Sequence, residues 1–298
     1  MTDQETREGG LVERAKAVLA PLDAGYLDEV EQLYVDLHRN PELSRQEERT
    51  AAVAAEHLKQ AGYEVFTGIG GHGVAALLRN GDGPVVMLRA DMDALPVRED
   101  TGLPYASEHR ARNSEGEEVP VAHACGHDAH LSSLLSAATL LARGKDSWSG
   151  TVLAVAQPAE ETGDGAQSML DDGLYTKVAK PDVALAQHIV PLPTGIVGHR
   201  AGPMMAASAV VNVRIHGRGG HSSAPHATID PIVLAAHVVT RLQTIVARET
   251  DPADCAVVSV GSIHAGTKAN VIPETVDLGI SVRCYDNGLQ DRLLKAIH

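Results

Sequence analysis

Apolar and polar positions follow two distinct rhythms along this chain. Residues 27–39 repeat apolar side chains at helical spacing up to Pro41, and a second helical stretch runs to Gly62, with Ser44 and Glu47 spaced as a capping box at its start. Short Val-, Ala- and Leu-rich runs follow at 73–78, 84–90, 151–156 and 182–187. They lack alternation, which predicts strands buried on both faces. Among them, Leu131, Leu134, Leu135, Ala138 and Leu141 recur at helical spacing over 129–143, with Asp128 as a candidate N-cap and Gly144 as the stop. The mixture predicts an α/β sandwich with a mostly parallel sheet.

After Gly202 and Pro203 the rhythm changes to strand (208–216), helix (231–248), strand (256–263), strand (276–285) and a helix from about 288. That order starts a split β-α-β, ferredoxin-like α+β unit and stops one strand short of closing it. Two domains are therefore expected, residues 1–202 and 203–298, in keeping with 298 residues at roughly 150 per domain.

Charge narrows the function. The 25 Lys and Arg against 39 Asp and Glu leave a net charge of −14, the wrong sign for a nucleic-acid or anionic-membrane binder. One Phe, one Trp and six Tyr offer little surface for stacking on bases. No apolar run approaches the ~20 residues of a membrane span, and segment 1–8 lacks the basic and apolar regions of a secretion signal. A soluble, cytoplasmic protein is expected. Cys125, Cys255 and Cys284 are an odd, sparse set that cannot form a full disulfide framework, so a cysteine that matters would act as a thiolate.

Polar anomalies gather where the predicted strands end, and open α/β sheets bind ligands at the carboxyl ends of their strands. Strand 84–90 delivers Asp91 and Asp93, strand 151–156 delivers Glu160 and Glu161, and strand 182–187 delivers His188; Cys125 and His127 stand just before the helix at 129. Each has a plain alternative. A lone Cys-x-His is more often an ordinary loop, a Glu pair after a proline a solvated turn, and a histidine ending an apolar strand a satisfied core residue. Co-location changes the balance: Cys125, His127, Glu161 and His188 together offer a ligand set for zinc or a similar ion. A helix N-terminus beside Cys125 is expected to lower its thiol pKa. Glu160 is left as the spare carboxylate that a metal-activated water requires as general base, and that can then protonate a leaving amine.

These residues resemble the M20 metallopeptidases, specifically the amidohydrolase branch that includes hippurate hydrolases, auxin-conjugate hydrolases and N-acyl-amino-acid deacylases. The matching stretches run in order: Leu37 to Leu43, Arg89 to Pro96, His123 to Asp128, Gln157 to Glu161, His188, Gly219 to His221 with Pro225 and His226, and Asn270 to Pro273. The resemblance implies a metal-binding catalytic domain and a lid that also forms a homodimer. It implies two divalent ions, with Cys125 bridging and His127, Glu161 and His188 as terminal ligands, and Glu160 as general base and acid. On the lid, His221 is implied to stabilise the tetrahedral intermediate in the partner subunit's site, while Asn270 and Arg283 hold the substrate carbonyl and carboxylate. The substrate class implied is an N-acyl amino acid or small peptide; Zn, Mn, Co and Ni all accept such ligands.

Two departures from the family pattern are expected to matter. Arg89 stands where the wider family has a histidine, which would shift coordination onto Cys125 and His127. Family members also continue beyond this length, supplying a further histidine ligand and the last part of the catalytic domain. Two rivals to a metal-dependent amidohydrolase follow: an M20-like fragment that binds ligand or partner without turnover, and a thiol hydrolase with Cys125 as nucleophile.

Overall fold

The computed structural model describes the backbone from residue 3 and side-chain surroundings from residue 9. The chain divides into two units, Met1–Leu192 and Pro193–His298. The first opens with three helices, α1 (Asp3–Leu19), α2 (Ala24–Arg39) and α3 (Glu48–Gln60), then places strands β1 (Glu64–Ile69), β2 (Gly73–Asn80) and β3 (Val85–Asp91). A short hairpin, β4 (Arg110–Arg112) and β5 (Glu118–Pro120), precedes α4 (His127–Arg143) and β6 (Gly150–Gln157). Two short helices, α5 (Gly165–Asp171) and α6 (Leu174–Lys177), lead to β7 (Val183–Ala186).

Five of these strands form one sheet in the order β1-β2-β6-β3-β7. β6, β3 and β7 are parallel, whereas β2 runs antiparallel to both β1 and β6. The α/β class holds and the sheet is mixed. Its parallel part is the part that matters, because parallel neighbours bring their carboxyl ends to one edge. Alternation along β2 shows how the layers are made. Val74, Ala76 and Leu78 pack with Leu58, Leu131 and Leu135 beneath α3 and α4, while Ala75 and Leu77 pack with Leu153, Met169 and Leu174 on the α5–α6 side. β2 and β6 are thus buried on both faces, as apolar runs without alternation require. β7 is not: it is the margin of the sheet and all four of its residues are exposed.

Two predicted caps are replaced by others. Ser44 and Glu47 form no capping box: the Ser44 hydroxyl donates to Asp93 and the Glu47 carboxylate accepts from the Ala159 N–H. Glu42 serves the start of α3 instead, its carboxylate accepting the N–H groups of Arg49 and Thr50 at 3.0 and 2.7 Å. Asp128 lies inside the first turn of α4, and the N-cap is Gly126 in the left-handed region at φ 80°. The pattern reading also passed over α1, β1, the β4–β5 hairpin, α5 and α6.

In the second unit, β8 (Ala207–His216), a two-residue β9 (Gly220–His221), α7 (Pro231–Glu249), β10 (Ala256–Ala265), β11 (Val271–Ile272), β12 (Thr275–Cys284) and α8 (Asn287–Ile297) follow in order. β10, β12 and β8 form an antiparallel sheet in that order. Val276, Leu278, Ile280, Val282 and Cys284 of β12 face one side, where Ala235, Leu242, Ile245, Leu289 and Leu293 of α7 and α8 cover them. Among the described residues, no helix is long and apolar enough to cross a membrane.

Candidate metal centre

The parallel strands β6, β3 and β7 deliver their polar ends as expected, and the turn into α4 meets them. Cys125 Sγ lies 3.3 Å from His188 Nε2. His127 Nε2 lies 3.8 Å from Glu161 Oε1, 3.9 Å from Glu160 Oε2 and 3.8 Å from Asp91 Oδ1. Donor atoms of Cys125, His127 and His188 fall within 4.8 Å of one another, and so do those of His127, Glu160 and Glu161. Ligands held about 2.0–2.3 Å from one tetrahedral ion stand roughly 3.3–3.8 Å apart, so these separations fit a shared cation.

The hydrogen bonds around the cluster leave lone pairs pointing inward. Nδ1 of His188 is 2.6 Å from the Ile189 carbonyl oxygen, which only accepts, so that nitrogen carries the proton and Nε2 presents its lone pair toward Cys125. His127 gives Nδ1–H to Asp93 Oδ1 at 3.2 Å, which leaves its Nε2 toward the acids. That Nε2 and Glu161 Oε1 are both buried and lack any hydrogen-bond partner. Unpaired buried polar atoms are costly, and two of them facing each other make the environment a cation resolves. The donor set and its orphaned atoms therefore fit a divalent ion.

Electrostatics point the same way. Burial and the neighbouring carboxylates of Glu161, Glu160 and Asp91 push the Cys125 thiol up to about 12. The expected lowering by the helix N-terminus is overridden, because desolvation and several nearby negative charges outweigh one partial dipole charge. A thiol so protonated is a poor free nucleophile. Burial likewise raises the Glu161 pKa, with Glu160 adding repulsion. Burial works against ionisation of Asp91, yet the His130 hydrogen bond and the Arg89 guanidinium hold its pKa down at about 2.

Several residues around the cluster were singled out weakly or passed over. Asp93 orients His127, and its second oxygen accepts from Ser44 and from the Glu161 N–H at 3.0 Å. This is the carboxylate partner that ligating histidines commonly have. The Asp-x-Asp at the end of β3 was its only sequence signal. His130 accepts the Ile189 N–H at Nε2 (2.8 Å) and donates from Nδ1 to Asp91 (2.7 Å), tying the His188 segment to β3. Arg89 is a brace: Nε donates to Gln157 of β6 and a terminal nitrogen to Asp91. His123 is buried with both ring nitrogens unpartnered, and desolvation lowers its pKa to about 4.

Of the residues expected on the lid, His221 and Asn270 are brought together within the second unit. β9 pairs with β11, setting His221 opposite Val271, and the Ser222 N–H donates to the Asn270 carbonyl. Both side chains are exposed, and His221 Nδ1 lies 2.8 Å from the Ser223 hydroxyl. Arg283 sits apart from them on the uncovered face of β12, opposite Ser208 and Val257.

Comparison with known proteins gives the family. Residues 87–287 match the family model of peptidase family M20/M25/M40. The chain belongs to this family. It is 40% identical over 259 residues to the N-acetyl-L-cysteine deacetylase of Bacillus subtilis (strain 168), an alignment that covers 86% of this chain and 59% of that protein. It is 41% identical over 261 residues to the hippurate hydrolase of Campylobacter jejuni, covering 87% of this chain and 65% of the relative. The M20 chain thus spans less than two thirds of the length of these two relatives. Among solved structures, a Bacillus subtilis dinuclear metal-binding peptidase of the M20 family superposes with a TM-score of 0.71 at 32% identity, covering 92% of this chain and 69% of that one.

Proposed function

We propose that this M20 chain holds two divalent cations and uses them to hydrolyse the amide bond of N-acyl amino acids or small peptide-like substrates. The observation that carries the reading is the convergence of Cys125, His127, Glu161 and His188 with Glu160 beside them. In this reading Cys125, His127, Glu161 and His188 would hold the cations. Zn, Mn, Co and Ni all suit this mixture of sulfur, imidazole and carboxylate. When bound, the cations supply Lewis acidity that polarises the scissile carbonyl and lowers the pKa of water.

The chain's own residues do the rest. Asp93 fixes the His127 ring and its tautomer, and the Ile189 carbonyl does the same for His188. Glu160, 40% exposed at its side chain, keeps an oxygen 3.9 Å from His127 Nε2 and still reaches solvent. In this reading it takes a proton from the attacking water and hands it to the departing nitrogen. His221 is read as stabilising the tetrahedral intermediate, with Asn270 and Arg283 receiving the substrate's carbonyl and carboxylate. Arg283 supports this by presenting a planar fork suited to a carboxylate. Residues 203–298 are read as the lid and homodimer contact; the long, unpaired outer side of edge strand β8 supports it. The same reading places the protein in the cytoplasm.

The test is Glu160→Gln, assayed with cation-loaded protein against hippurate, N-acetylcysteine and related N-acyl amino acids. Cation content is expected to hold while turnover falls by about 10² to 10⁴, the range for a general base. Unchanged turnover would remove Glu160 from the reaction. Chelation is expected to abolish hydrolysis in the unsubstituted protein. Hydrolysis that survives complete cation removal would favour direct attack by Cys125.

A further inference from the structure

We infer that Glu47 is a positioning residue for the acidic turn that presents Glu160 and Glu161, and that it works by holding Ala159 in a left-handed conformation. This rests on the metal-centre reading. Glu47 has 0% exposure, and one of its carboxylate oxygens accepts the Ala159 N–H at 2.7 Å while the other has no partner. A buried carboxylate with a single hydrogen bond is an expensive way to begin a helix. Burial accordingly raises its pKa, with the backbone N–H groups around it opposing the shift.

The second observation is backbone strain. Among the described residues, Arg45 (φ 67°) and Ala159 (φ 50°) are the non-glycine residues with positive φ. Ala159 immediately precedes Glu160, and Arg45, two residues before Glu47, pairs with Asp164 at the far end of the acidic turn. Alanine has no side-chain oxygen with which to support this conformation, so something outside must hold it. The Glu47 hydrogen bond is on the Ala159 nitrogen itself. On its other side, the Ala159 carbonyl accepts the Gly165 N–H at 3.1 Å, and a Cβ at Gly165 would lie 1.7 Å from the Pro158 carbonyl oxygen. The turn is therefore closed from both ends, and the next two residues are the proposed base and ligand. Relaxing Ala159 to an ordinary φ would swing both carboxylates from their positions facing His127.

The experiment measures Co²⁺ affinity and the visible Co²⁺ spectrum for the full chain and a set of variants, each first checked for retained secondary structure. Glu47→Asp keeps the charge but withdraws the acceptor by one methylene. It is expected to lose about 10- to 100-fold in affinity, the usual cost of disturbing groups behind a ligand, with an altered ligand-field spectrum. Glu47→Gln retains a carbonyl acceptor and is expected to stay close to the unsubstituted protein. Adding Ala159→Gly to Glu47→Asp is expected to recover roughly 5- to 30-fold, since glycine takes positive φ without the penalty of about 1–2 kcal/mol. Unchanged affinity in Glu47→Asp, an equal loss in Glu47→Gln, or no recovery with Ala159→Gly would each overturn the inference while leaving the metal centre standing. If the unsubstituted chain binds no Co²⁺, or His127→Ala binds it equally well, the metal-centre reading fails and this inference goes with it.

Discussion

His38 sits between two carboxylates, with Nδ1 2.6 Å from Asp128 and Nε2 3.1 Å from both oxygens of Glu99. Burial alone would lower its pKa, but these partners win and raise it. A histidine with a raised folded pKa adds stability that is complete below its ordinary value near 6.5 and is lost as pH rises through the folded value. Replacing His38 with Gln is therefore expected to cost most below pH 6.5, about 1.5–3 kcal/mol for hydrogen bonds to charged groups. The gap between the two proteins should narrow toward alkaline pH in urea unfolding. A gap that is constant or widens with pH would show that His38 is neutral in the folded protein. At this scale the sequence exposed Cys125, His127, Glu161 and His188, because each is an unusual residue at a strand or helix end. It offered Asp93 only as one of two acids ending a strand and gave no sign of the roles of His130 and Glu47; the partners of these three lie 34, 39 and 112 positions away. A buried carboxylate at position 47 has in sequence the spacing of a helix-start glutamate, the capping-box partner of Ser44.

The turn into α4 links the residues to their scaffold. Gly126 has φ 80°, and a Cβ there would lie 3.1 Å from Ile189 Cδ1, one residue past His188. Gly126→Ala is expected to lose about 1–2 kcal/mol from the left-handed backbone alone, and to weaken cation binding by displacing the His188 segment. Denaturant unfolding and cation titration check the two effects separately; wild-type values in both would mean the turn relaxes freely. The long elements were legible because their apolar periods are set by burial: β2, β6 and α4 emerge within a few residues of their expected limits. β1 hid because its burial is uneven along the strand, and the hairpin strands β4 and β5 because three residues are too few to show any period. The misread cap of α3 has another cause. Ser44 and Glu47 have capping-box spacing, but tertiary partners took both side chains, leaving Glu42, six residues before the helix, to meet its N–H groups.

At the scale of the molecule, all four proposed ligands lie in the unit Met1–Leu192, and so does Trp148, the single tryptophan. Its indole N–H donates to the Leu141 carbonyl at the end of α4, the helix whose first turn carries His127. Tryptophan emission therefore reports unfolding of the cation-binding unit. A ligand that binds only the folded state stabilises it by RT ln(1 + [L]/Kd), about 2.7 kcal/mol for one site at 100 times Kd. Saturating Zn²⁺ or Co²⁺ is expected to move the Trp148 transition to higher denaturant by at least that amount, and His127→Ala to remove the shift. The carboxylates make the effect larger than ligand count implies: without a cation, Asp91, Asp93, Glu160 and Glu161 crowd about His127 in a chain already at −14. Mutual repulsion among them is relieved by a divalent charge and not by a monovalent one of the same concentration. Potassium at matched ionic strength should leave the transition in place, whereas a shift of equal size with potassium would mean that general screening, and no specific centre, stabilises the unit.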